Sequence, residues 1–150
     1  MSSVSRLRFL VLCAVALGAL LVAASALAGA FQSGKYKGTT EQGYPIVFKA
    51  TQGQVKKMRV ETVALCESGK GSKGKFLNLH APIENTRFEI KLTGDEGATH
   101  LVVKGRLTGP YAGGTIVDRT QVNPEKEGKP EPGGTDHCKA TFHWAAEIGG

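Results

Sequence analysis

Polar and apolar residues alternate along most of the chain beyond residue 30, and helical periodicity is almost absent. In Thr86–Thr93, Phe88, Ile90 and Leu92 fall on one face and Arg87, Glu89 and Lys91 on the other. A half-buried strand produces this pattern, because successive side chains point to opposite faces of a sheet. Cys138–Ala146 repeats it, gathering Cys138, Ala140, Phe142 and Trp144 on one side, so Trp144 reads as core. Val55–Leu65 sets Met58, Val60, Thr62 and Ala64 with Cys66, opposite Lys57, Arg59 and Glu61. Leu101, Val103 and Leu107 share a face with Gly105, which predicts a bulge or a point of close packing. Further strands are predicted at Lys35–Thr39, Tyr44–Thr51, Phe76–His80 and Thr115–Arg119.

The connectors support the same class. Glu41-Gln42-Gly43, Gln52-Gly53, Thr93–Gly97 and Thr108-Gly109-Pro110 have turn compositions. Two longer segments, Glu67–Lys75 and Asn123–Asp136, read as solvated, mobile loops rich in Gly, Lys and Pro. The fold is therefore all-β, an antiparallel β-sandwich or flattened barrel of about eight strands. Strands with one apolar and one charged face favour the sandwich. Short connections suit the alternative, a closed up-and-down β-barrel.

The first thirty residues follow a different rule. Arg6 and Arg8 precede an uncharged run from Phe9 to Ala30, which ends in Ala26-Leu27-Ala28 and Ala28-Gly29-Ala30. A basic start, an apolar stretch and small residues at Ala-x-Ala spacing make up a secretory signal peptide, with cleavage after Ala28 or Ala30. An uncleaved signal anchor is the alternative, and would be the chain's one attachment to a membrane. The chain thus divides into a signal peptide at 1–30 and a single all-β domain at 31–150. Without the leader the formal charge of +6 falls to about +4, since seventeen Lys and Arg then face thirteen Asp and Glu. Dispersed charge of that size suits solubility better than nucleic-acid binding.

The leader also removes Cys13, leaving Cys66 and Cys138. A pair of cysteines in an exported chain predicts a disulfide. Closing the long loop between them stabilises the fold by roughly 4 kcal/mol in the chain-entropy model.

Candidate chemistry is thinner. Gly69-Lys70-Gly71-Ser72-Lys73-Gly74-Lys75-Phe76 approaches the phosphate-binding pattern G-x-x-x-x-G-K-[ST], but Phe76 replaces the hydroxyl and no helix follows. Lys70, Lys73 and Lys75 are retained as a loop that could contact anionic envelope polymers. The four histidines, His80, His100, His137 and His143, lack the i, i+2 or i, i+4 spacing of joint metal ligation. There is no Gly-x-Ser-x-Gly elbow, no Cys-x-x-Cys, and no pair of carboxylates that the pattern brings to one cleft. Tyr36, Tyr44 and Tyr111 are candidates for a stacking surface that receives sugar rings or peptides. Nothing calls for a cofactor.

Taken in order, Gly34-x-Tyr36-x-Gly38-x-Thr40, Val60 to Cys66, Arg87-Phe88, Gly105-x-Leu107, Ala112-Gly113-Gly114-Thr115 and Cys138…Phe142-x-Trp144-x-Ala146 resemble a family of small exported bacterial β-proteins, mostly uncharacterised. The resemblance implies an all-β fold with a disulfide, and no activity, cofactor or catalytic residue. The expected function is a secreted or envelope-associated, non-catalytic domain that binds an extracellular glycan, another polymer or a protein. An extracellular hydrolase is the alternative, as is a small-ligand carrier if the fold is a closed barrel with an apolar cavity.

Overall fold

The structure, a computed structural model, describes residues 30–126 and 129–149. The leader expected at 1–30, apart from Ala30, lies outside the described residues. Eight strands run in chain order: β1 (Gly34–Thr40), β2 (Pro45–Ala50), β3 (Gln54–Cys66), β4 (Gly71–Pro82), β5 (Arg87–Gly94), β6 (Thr99–Thr108), β7 (Tyr111–Val122) and β8 (Asp136–Ile148). A single 3-10 turn at Asp95–Gly97 separates β5 from β6. Among the described residues no helix is long and apolar enough to cross a membrane.

All the ladders are antiparallel and belong to one sheet of order β4-β3-β2-β1-β8-β7-β6-β5. Every strand therefore lies beside its neighbour in sequence except β4 and β5, and β8 returns to β1. The all-β class, the eight strands and their antiparallel pairing agree with the sequence pattern. Of the closures it allowed, the observed one is a single sheet curled into a small barrel. At the β4–β5 seam, Asn85 and Thr86 form a tight turn with φ of 49° and 65°. Glu84 and Arg87 exchange two backbone hydrogen bonds of 2.8 and 2.9 Å there, and the two strands then part.

Strand length closes the other side. β1 and β2 have 7 and 6 residues, whereas β3 and β8 have 13 each. Beyond the turn at Glu41–Tyr44 the long strands are left as neighbours, and they pair at Leu65↔Lys139 and Cys66↔Cys138. Side chains bridge the gap between the turn and that pairing. The Gln42 amide donates to the Val63 carbonyl at 2.7 Å and accepts from the Val63 N–H at 3.0 Å. Glu41 accepts from the His143 N–H at 2.7 Å while its own N–H donates to the His143 carbonyl. The turn thus imitates a strand. Cys66 and Cys138 are joined by a disulfide across 72 residues of sequence, at the bases of both long connections.

The barrel interior is filled. Tyr36 lies flat against Phe48 with ring centroids 5.0 Å apart, Trp144 meets Phe48 edge-on at 5.8 Å, and Phe88 lies within 6.1 Å of Trp144. Aromatic pairs of this geometry add about 0.5–1.5 kcal/mol each to the burial of their area. The Trp144 indole N–H is satisfied by the Lys104 carbonyl at 3.2 Å. Gly105 marks close packing: a Cβ there would strike the Phe88 ring and come within 2.8 Å of Trp144.

One segment departs from expectation. Glu67–Lys75 is not a loop throughout; β4 begins at Gly71, so Lys73 and Lys75 are strand residues paired with Val63 and Glu61. The inward positions there are Ser72 and Gly74, beside Thr62 and Phe76, so the alternation has no apolar residues to reveal it. The described part of the connection at Asn123–Asp136 is also tied down, by Glu131 N–H donating to the Gln121 carbonyl and by a bridge between Val122 and Pro130.

Candidate functional site

The residues predicted to contact a ligand do not converge. Tyr36 is fully buried, its hydroxyl donating to the Gln32 carbonyl at 2.7 Å with the Gly109 carbonyl at 3.2 Å. Burial pushes its phenol above the ordinary value. Tyr44 is half-buried in the β1–β2 turn, and Tyr111 is 61% exposed at the start of β7, opposite Glu147. With Tyr36 inside the barrel, the three tyrosines form no common stacking surface. Lys70, Lys73 and Lys75 are exposed along the β3–β4 hairpin, and Lys75 is paired with Glu61 at 3.4 Å.

A different surface gathers chemistry. Register across four strands sets Leu65 of β3, Lys139 of β8, Arg119 of β7 and His100 of β6 on one line of the outer face. All four are exposed, and Leu65, at 67%, is an uncovered apolar side chain between polar neighbours. The His100 ring lies 3.3 Å from the Thr93 hydroxyl, which continues the line onto β5. Toward the long connections, His137 pairs with Gln121 on the same face. Leu65, Lys139, Arg119, His100, His137 and Gln121 border an open cleft of about 480 Å³ that is also lined by both half-cystines, Cys66 and Cys138, and by Glu67. Among the described residues no carboxylate lies within ion-pair distance of Arg119 or Lys139.

Side-chain hydrogen bonds brace the cleft from both sides. Asp136 opens β8 and reaches back to the β3–β4 turn, accepting from the Ser68 hydroxyl at 2.5 Å and from the Ser68 N–H at 3.1 Å. The Ser68 hydroxyl is the main cause of an Asp136 carboxyl held below the ordinary range. On the inner side, the buried Asp118 spans the barrel, accepting from the Thr62 hydroxyl of β3 at 2.5 Å and the Thr120 hydroxyl at 3.0 Å. Both of its oxygens are occupied by the protein, which makes Asp118 a cross-brace.

The cleft can receive an extended or branched group that carries negative charge beside an apolar portion. Leu65 offers the apolar contact, and Arg119 and Lys139 the charge. Sequence reasoning missed these residues because they lie on four strands and share no motif. The register that aligns them depends on the β3–β8 closure.

No family model, no curated protein and no solved structure matches this chain.

Proposed function

We propose that this chain is an exported, non-catalytic β-domain that binds an extracellular or envelope-associated polymer or protein through the cleft beside the disulfide. The observation that carries the reading is the line Leu65–Lys139–Arg119–His100, which combines an uncovered apolar side chain with two cations that have no carboxylate within ion-pair distance among the described residues, over a braced floor. Exposed chemistry of this kind on a scaffold stiffened by a covalent cross-link suits recognition, because little is lost in ordering the site when a ligand arrives. The disulfide also supports export, since such bonds persist in oxidising compartments. The interior filled by Tyr36, Phe48, Phe88 and Trp144 favours surface binding over carriage of a small molecule inside the barrel.

The test is thermal unfolding of the purified protein across a panel of extracellular glycans and peptides, with Arg119→Gln/Lys139→Gln as the comparison. A ligand of the cleft raises the midpoint of the native protein and leaves the variant unmoved. No shift with any panel member would sink the cleft as a binding site. Export is checked separately, by the mass of the protein recovered outside the cell, which should begin at Gly29 or Phe31.

A further inference from the structure

The barrel wall formed by β1, β2 and β3 carries a charge arrangement that the sequence hides. Register places Lys35 of β1 directly opposite Lys49 of β2, and Lys49 directly opposite Lys56 of β3. The next outward line runs from Lys37 through Val47 to Arg59. Lys57, raised on the β3 bulge with φ 52°, adds a sixth cation. All six are exposed, and among the described residues none has a carboxylate within ion-pair distance. Glu147, opposite Lys37 on β8, bounds the patch on one side, and the Glu61–Lys75 pair bounds it on the other.

Like charges directly opposite one another across a ladder destabilise a sheet. Here two such contacts adjoin in one line, while the carboxylates that could relieve them are placed at the borders. Strands stand about 4.8 Å apart and alternate residues about 6.8 Å apart along a strand, so the ammonium groups root in a regular grid. Five of the six cations are lysines, mobile point charges that follow diffuse negative charge instead of clamping one group.

We infer that this wall binds a linear acidic polysaccharide, laid across the three strands along the Lys35–Lys49–Lys56 line. This goes beyond the cleft reading and does not depend on it. The side chains between the cations favour that occupant. Val47, Thr39 and Pro45 are the uncharged outward residues of β1 and β2, so no aromatic ring on which nucleic-acid bases could stack stands among the cations; the exposed Tyr111 lies outside the patch, on β7 beyond Glu147. Val47 is half-buried between Lys37 and Arg59, so no apolar side chain projects from among the six cations for insertion into a lipid surface; the exposed Leu65 and Leu77 lie outside the patch, at the far end of β3 and on β4.

The experiment titrates the full chain with polygalacturonate over a salt series. Neutral dextran, oligothymidylate and anionic phosphatidylserine vesicles serve as comparison ligands. The native protein should bind polygalacturonate with strong salt dependence and ignore dextran. Lys35→Gln/Lys49→Gln/Lys56→Gln should weaken binding at least about tenfold at low salt and flatten the log–log salt slope by roughly 2, by analogy with about 0.7 per contact on single-stranded polyanions. Its thermal midpoint should stand at or above that of the native protein, because repulsion has been removed, and this shows that the variant is folded. Unchanged polygalacturonate affinity in the triple variant overturns the inference, as does a native protein that fails to bind. Loss of binding in Arg119→Gln/Lys139→Gln instead would move the polymer to the cleft and overturn this site while supporting the other. Tighter binding of oligothymidylate or of the vesicles would overturn the choice of polysaccharide.

Discussion

Asp136 shows how much a single carboxyl can organise at the edge of this barrel. It closes the β3–β4 turn onto β8 through Ser68, close in β8 to Cys138 of the disulfide, and those bonds hold it below the ordinary carboxylate range. The sign of the pH effect follows. The unfolded chain takes up the proton near the ordinary value of about 3.9, while the folded chain resists it to lower pH. The contribution of Asp136 to stability is therefore complete above about pH 4 and is lost as pH falls toward the folded value. Thermal midpoints measured between pH 6 and pH 2 should fall more steeply for the native protein than for Asp136→Asn. Ser68→Ala should share the flatter profile, because Ser68 provides the hydroxyl that depresses the pKa. Parallel profiles for all three proteins would show that this bond does not govern acid unfolding. Asp136 and Ser68 were not legible as partners in the sequence. They are joined only because β3 and β8 meet past the short β1–β2 hairpin.

At the scale of elements, alternation located every strand, and it erred where the inward residue is small or the backbone changes phase. β4 contains both situations. Its first half turns Ser72 and Gly74 inward, so the strand looks like a basic loop. At Leu77-Asn78 an extra residue shifts the β3–β4 register, from Val60↔Phe76 to Met58↔Leu79, and the buried positions pass from even to odd numbers. Leu77 is left outside, 51% exposed, while Leu79 and Ala81 point in. β3 has a matching insertion at Lys56-Lys57, which is why Val55 is buried despite its opposite parity to Met58. Each bulge is pinned by one residue in the left-handed region, Lys57 at φ 52° and Asn78 at φ 58°. Asn tolerates that conformation better than most residues, and a β-branched side chain tolerates it badly. Asn78→Val should accordingly lower the unfolding free energy by about 1–3 kcal/mol, whereas Asn78→Gly should change it by less than about 1 kcal/mol. Urea denaturation of the pair separates backbone strain from loss of the amide, since both variants lack the amide and only valine carries the strain.

The whole molecule depends on closure, which periodicity does not report. An apolar face and a charged face arise equally when two sheets are stacked and when one sheet is curled, so the strands were readable and their enclosure was not. The lengths of β1 and β2 decide it, because a hairpin that stops early leaves β3 and β8 side by side. The cysteines were readable as a pair, and the structure adds that Cys66 and Cys138 are directly opposite on paired strands. The bridge therefore does two things. It restricts the unfolded chain, and it locks the one place where the sheet is joined across the β1–β2 hairpin. Reduction, or the variant Cys66→Ser/Cys138→Ser, should lower stability by roughly 4 kcal/mol on the loop-entropy model, a large share of what a domain this size possesses. The loss should also be localised. Amide exchange should accelerate first at Leu65, Cys66, Lys139 and the neighbouring ends of β3 and β8. The amides of β6 and of the aromatic end of the barrel, around Phe48 and Trp144, should retain protection until global unfolding. If exchange rises uniformly, the bridge acts only on the unfolded chain, and the closure between β3 and β8 stands without it. If it rises at the junction alone, the cleft floor depends on the disulfide, and ligand affinity at Arg119 and Lys139 should weaken under the same reducing conditions.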